Sequence, residues 1–155
     1  MSVSPGGAYA DVRLAVAQLV DIAARATRLQ TTRLQDASRA EGDVDTIADG
    51  LLFVVAVRDT LRFAEAAAVI EPSLSPSVSA FCSAVPSITL IRNALEHADE
   101  FVQGRGRSQG AVGQLYVGVQ RAPVRVLVGD ALSVDVATAA AAVLALASHV
   151  RSALL

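Results

Sequence analysis

The chain has 155 residues, enough for one domain with a substantial core, and 53% of them are apolar, which excludes a disordered chain. Thirteen basic against fifteen acidic residues give a formal net charge of −2, so nothing attracts nucleic acid globally and any such contact has to be local. A single cysteine, Cys82, excludes an intramolecular disulfide and fits a reducing, cytoplasmic compartment, and His97 and His149 alone do not make a zinc ligand set, so no metal or cofactor is expected.

Every basic residue is arginine. The absence of lysine removes P-loop, Schiff-base and lysine general-base chemistry, and codon bias in a GC-rich genome accounts for it better than functional selection does. The mean hydropathy of +0.48 owes much to alanine, close to a fifth of the chain and a helix former rather than a strong hydrophobe. No uncharged apolar run reaches the roughly 18 residues of a membrane span. The nearest, Val136 to Ser148, reads as a buried or interface helix, and no basic region followed by an apolar core marks the N-terminus for export.

Residues 1–7 read as a frayed tail closed by Pro5-Gly6-Gly7. From Ala8 to Asp36 the positions Val12, Val16, Leu19, Ala23, Ala26 and Leu29 fall at steps of three and four and predict one buried face, with Arg13, Asp21, Arg25 and Arg28 covering much of the rest. Ser38 to Asp45 is a polar turn in which Asp43 caps the next helix. That helix runs from Val44 to Glu71 with Ile47, Leu51, Val54, Arg58, Leu61 and Ala68 on one face, and Pro72 and Pro76 end it in a Ser/Pro loop.

A third helix is predicted from Ser77 to Gln103, with Pro86 either kinking it or splitting off a short leading helix and Ser87 placed to cap the segment beyond it. Residues 104–113 are glycine-rich and read as a flexible loop. Two β-rich runs separated by Arg121-Ala122-Pro123 predict a hairpin over 114–129, and Ser133 or Asp135 caps a last helix reaching Leu155. The expectation is a single, mainly α domain over 1–155: an up-and-down bundle of about four long helices with a small β-hairpin before the last.

One stretch has the makings of a reactive site: Arg92-Asn93-Ala94-Leu95-Glu96-His97. Asn93 and His97 are four apart and share a helix face. Arg92 and His97 are about 140° apart around the axis, so the long arginine stem has to swing its guanidinium across. Histidine exchanges protons near neutral pH, arginine offers a fork of donors to phosphate oxygens, and asparagine can orient either partner. Those groups suit phosphodiester cleavage of RNA, where the 2′-hydroxyl is a built-in nucleophile and no metal is required. Glu96, Asp99 and Glu100 crowd the same turns and repel phosphate, while Arg105 and Arg107 lie beyond and offset them as RNA contacts or serve as solubilising loop charges. Equally, Arg92 and Glu96 form an ordinary i, i+4 helix pair, with Glu96 in a supporting role.

The same residues, with the only asparagine of the chain directly after arginine and histidine four further on, resemble the Arg-Asn-x-x-x-His motif of HEPN-domain proteins, many of which are metal-independent endoribonucleases. The resemblance covers six residues and implies a helical bundle with the motif on a late helix, Arg92 and His97 as the catalytic pair, and Asn93 as polar support. It also implies a homodimer in which two motifs share a site, an RNA substrate cut to a 2′,3′-cyclic phosphate and a 5′-hydroxyl, and a toxin or defence role with an antitoxin protein as partner. The tyrosine that one toxin branch carries two residues after the histidine is Asp99 here, so silencing by tyrosine modification is not expected.

The alternative expectation is a non-catalytic helical dimerisation or adaptor module, with the alanine-rich Ala137 to Ala147 packed against a partner. Elsewhere, Arg121 and Arg125 read as exposed strand-edge charges, His149 as a favourable charge at a helix C-terminus, and Cys82 as packed among small neighbours.

Overall fold

A computed structural model of the chain describes residues 5–36, 42–96, 117–129 and 132–155. The order is α1 (Pro5–Gln35), α2 (Val44–Ile70), a 3-10 turn (Pro72–Leu74), α3 (Ser75–Ala84), α4 (Ile88–Glu96), β1 (Val117–Arg121), β2 (Val124–Val128), β3 (Leu132–Asp135) and α5 (Val136–Leu154). The fold is mainly α with a small antiparallel sheet before the last helix, as the pattern predicts. The predicted loop 104–113 lies outside the described residues.

α1 begins at Pro5, so residues 5–7 belong to the helix and not to a frayed tail. Proline suits a first helical turn because its missing N–H would have no partner there. α1 and α2 run antiparallel, and an ion pair at each end sets their register. Arg33 Nη1 lies 3.2 Å from Asp49 Oδ1 near the turn, and Arg13 Nη1 lies 3.6 Å from Glu71 Oε2 at the far end. Asp43 caps α2 through Asp45 N–H at 3.4 Å.

The buried face of α1 differs from the predicted one. Ala17, Val20, Ala23, Ala24, Thr27, Gln30 and Leu34 face the core, whereas Val12, Leu19 and Leu29 stay 40–51% exposed and Ala26 is exposed as well. α1 packs against both α2 and α5. Small residues let those helices approach closely, so the arc richest in alanine and threonine turns inward and the arc of larger aliphatics turns out. Periodicity finds the more hydrophobic arc, and here that arc is the surface one.

α2 is the central helix, touching α1, α3, α4, α5 and the sheet. Its buried positions, from Thr46 through Phe53, Val57 and Leu61 to Ala67, therefore occupy a wide arc instead of the single predicted face, and Leu51 lies outside it. Pro72 and Pro76 do not end α2 in an irregular loop. They sit at the starts of the 3-10 turn and of α3. Pro86 resolves the third helix into two, because α3 stops at Ala84 and α4 restarts at Ile88.

The hairpin turns at Ala122-Pro123, and a third strand completes the sheet in the order β1-β2-β3. The register stacks Val119, Val126 and Val134 in one row and Val117, Val128 and Leu132 in the next. Val119, Val126, Val128 and Val134 are buried, so this face covers the helices. Strand alternation puts Arg121 on the same face as Val117 and Val119. Its Nη1 reaches the carbonyls of Leu34 at 2.8 Å and Asp36 at 2.6 Å. Arg121 is thus no strand-edge charge. It closes the C-terminus of α1, where carbonyls lack helical partners and the dipole favours a cation. Arg13 does the same for α5 through the Ala153 carbonyl at 2.7 Å.

α5 is the one described helix long and apolar enough to cross a membrane by length and composition alone, and Val136, Ala139, Val143, Leu146, Val150 and Leu154 bury one face of it in the core. Asp135, not Ser133, caps it, accepting from Thr138 N–H at 2.8 Å.

Two measurements test these contacts. A Cβ at Gly50 would stand 3.0 Å from Val119 Cγ2 and 3.5 Å from Val126 Cγ1, so α2 touches the sheet there without room for a side chain. Gly50→Val is expected to lower unfolding free energy in urea by about 2–3 kcal/mol through overpacking. The Thr138 backbone bond, then the Thr138 hydroxyl, hold the Asp135 carboxyl below its ordinary range, with Arg125 across the strand pair adding to this. A lowered folded-state pKa gives stability that is present above the unfolded value, about 3.9, and lost as pH falls through the folded value. Asp135→Ala is therefore expected to cost about 1 kcal/mol at neutral pH, with the gap from wild type closing under strongly acid conditions.

Candidate functional site

α4 is short, and its orientation comes from two side chains. Ile88 and Ile91 are 1% and 0% exposed, and the helix lies against α2 and β3. The Val85 carbonyl accepts from Ile88 N–H at 3.2 Å, and the Ser87 carbonyl from Ile91 N–H at 2.9 Å, so the residues after Pro86 lead directly into the first turn. Asn93 is five residues past Ile88 and two past Ile91, roughly opposite both around the axis. It is exposed, beside Leu90, which is 57% exposed. The polar support of the sequence motif therefore faces outward from a helix anchored by its isoleucines. Arg92 and Glu96 occupy helical backbone positions in α4. Their side chains, and His97, Arg105 and Arg107 altogether, lie outside the described residues.

Concavities among the described residues include two that gather polar side chains. One, of about 210 Å³, lies where α3 meets α4, against the strands and the start of α5, and is lined by Ser87, Arg125, Ser133, Asp135 and Thr138. Asp135 and Arg125 are cross-strand partners in the ladder, and the Asp135 carboxylate is already engaged as the cap of α5. This concavity adjoins the entry to the motif helix through Pro86 and Ser87.

The other, of about 280 Å³, lies between α1 and α5 and holds Asp21, Arg25, Arg28, Ser148 and Arg151 over Ala24, Leu144 and Ala147. Arg151 Nη2 bonds Asp21 Oδ1 at 2.5 Å, and that contact holds the guanidinium above its ordinary pKa. The spacing of Arg25 and Arg28 is visible in the sequence as part of a polar face. Arg151 is more than a hundred residues away, and only the packing of α5 on α1 brings it beside them.

The remaining reactive side chains are quiet. Cys82 is exposed instead of packed, but partial burial, with the Glu65 carboxylate, pushes its thiol up and keeps it protonated. His149 Nδ1 lies 3.0 Å from Ser77 Oγ and ties α5 to α3. No three His, Cys, Asp or Glu side chains among the described residues gather to hold a metal ion. Set against models of protein families, curated proteins and solved structures, the chain matches none of them.

Proposed function

We propose that the chain is a metal-independent endoribonuclease of the HEPN type, acting in the cytoplasm as a toxin or defence component on the motif Arg92, Asn93 and His97. The observation that carries this reading is the outward face of α4. Ile88 and Ile91 anchor the helix while Asn93 is exposed, in a mainly α fold with Arg92 and Asn93 on a helix that follows two long ones. On this reading His97 removes the proton from a ribose 2′-hydroxyl and the oxygen attacks the adjacent phosphorus. The bond to the 5′-oxygen then breaks, and that oxygen takes up a proton and leaves as a hydroxyl. Arg92 stabilises the charge that builds on the phosphate, and Asn93 orients the imidazole or the phosphate.

A second reading, a helical dimerisation module, is favoured by the outer face of the α1–α2 pair. Val12, Leu19, Ile22 and Leu29 are 40–63% exposed and, with Ala15 and Ala26, follow a strict three-four spacing. The order large-small-large-large-small-large is the same read from either end. Antiparallel pairing of two copies of α1 sets Val12 opposite Leu29, Ala15 opposite Ala26 and Leu19 opposite Ile22, the self-complementarity a two-fold interface needs. Arg33 continues this stripe and crosses to Asp49, one turn before Leu52 on α2, so the exposed Leu51, Leu52 and Val55 extend the same patch. Together these side chains leave on the order of 600 Å² of apolar surface, at the upper end for a monomer and most of the ~800 Å² one partner brings to a standard interface. The nuclease reading expects a different homodimer, one that brings two motifs to a shared site.

Two experiments separate them. Wild-type protein incubated with total RNA and a chelator is expected to release fragments with 5′-hydroxyl ends, and His97→Ala to cut at least about 100-fold more slowly with its circular dichroism unchanged. Equal cutting by the variant would refute the nuclease reading. In light scattering the wild type is expected at twice the mass of one 16.0 kDa chain and Ile22→Asp at the mass of one; a monomeric wild type refutes the dimer.

A further inference from the structure

The concavity between α1 and α5 gathers three guanidiniums around one carboxylate, in a chain whose net charge is −2. Asp21 has Arg25 four residues on, the usual partner along a helix, yet its carboxylate bonds Arg151 across the concavity. Arg25 and Arg28 are exposed and carry no ion pair among the described residues. Cationic groups brought together on two helices, two of them with their donors unused, make a local positive potential. Planar guanidinium forks match the oxygens of phosphate better than any other anion-binding side chain, and Ser148 adds a hydroxyl to the same lining.

The lower part of the concavity is apolar. Ala24 and Ala147 are buried beneath it, and Leu144, 52% exposed at the side, is the apolar side chain open to a group attached to the anion. About 280 Å³ accommodates a phosphate with one modest substituent and is too small for a folded partner segment.

We propose that the α1–α5 concavity binds the phosphate of a nucleotide, with Arg25, Arg28 and Arg151 around the phosphate and the base beside Leu144. Asp21 holds Arg151 in place. The phosphate comes from a free mononucleotide or from a nucleotide within an RNA chain, and the chemistry recognised is the same. The site does not rest on the α4 motif, which packs against α2 and β3.

The test is calorimetric titration of the intact protein with adenosine monophosphate, with inorganic phosphate as competitor, and separately with a short 5′-hydroxyl oligoribonucleotide. Adenosine monophosphate is expected to bind, phosphate to displace it, and the double variant Arg25→Gln, Arg28→Gln to bind at least about tenfold more weakly, the loss of charge-assisted bonds to phosphate. Arg62→Gln, exposed on α2, removes the same kind of charge elsewhere and should leave affinity within about twofold. The site lies on α1 and α5 and includes no residue of the Arg92–His97 motif, so failure of the nuclease reading leaves it standing. If only the oligoribonucleotide binds, with the same dependence on Arg25 and Arg28, the source is RNA and the site holds. The proposal is overturned if no probe saturates in the millimolar range, if the double variant binds unchanged, or if Arg62→Gln weakens binding as much.

Discussion

The fold depends on α2 being enclosed along most of its length. Thr46, Asp49, Gly50, Phe53, Val57, Leu61, Ala64 and Ala67 turn inward in successive turns, and α1, α5, α4 and the sheet close around them. A helix so surrounded needs small residues wherever a neighbour crosses, since interior packing leaves no slack for an extra methylene. The molecule supplies them on both sides: Ala17, Ala23 and Ala24 on α1, Ala139 and Ala147 on α5, and Gly50 on α2 itself against Val119 and Val126. The high alanine content is a condition of this close approach. It also explains why larger aliphatics on α1 remain outside: the space between the helices is too narrow for them.

Arginine is used here less as a surface charge than as a connector between elements. Arg121 on β1 and Arg13 on α1 donate to the terminal carbonyls of α1 and α5 respectively, and Arg33 and Arg151 each bridge α1 to a neighbour. These contacts join residues 16 to 141 positions apart, a reach that suits a long stem ending in several fixed donors. Arg25 and Arg28 share the surface of α1 but join nothing among the described residues, which makes their place beside Arg151 informative.

The two proposed activities occupy different parts of the chain and use the same chemistry, guanidinium donors directed at phosphate. On α4 the guanidinium stands near a histidine in sequence and a reaction is implied. Between α1 and α5 the concavity is lined by guanidiniums, a carboxylate and a hydroxyl, and the proposal there is one of binding. A dimer through the outer face of α1 and α2 involves neither. Val12, Leu19, Ile22 and Leu29 lie on the flank of α1 toward α2, whereas Asp21, Arg25 and Arg28 lie on the flank toward α5.

The long helices, the turn at Ala122-Pro123 and the cap at Asp43 are legible in the amino-acid order, with Asp135 as one of two candidate caps and Pro86 as a kink or a break, because each is set by local stereochemistry: period, missing donors and side-chain acceptors a few residues from the backbone they serve. That order also marked Arg92 to His97 as chemically coherent, since an i, i+4 relation along one helix is visible without a fold. Four residues of β3 running straight into α5 were too short for a periodic signal and became a strand only by pairing with β2. Packing between distant segments chose which of two apolar arcs of α1 turned inward, made Arg121 the closure of α1, and stood Arg151 beside Arg25 and Arg28. Each of those depends on how closely two distant surfaces can approach, and that distance is set by the volumes of both partners, which no single stretch of sequence contains.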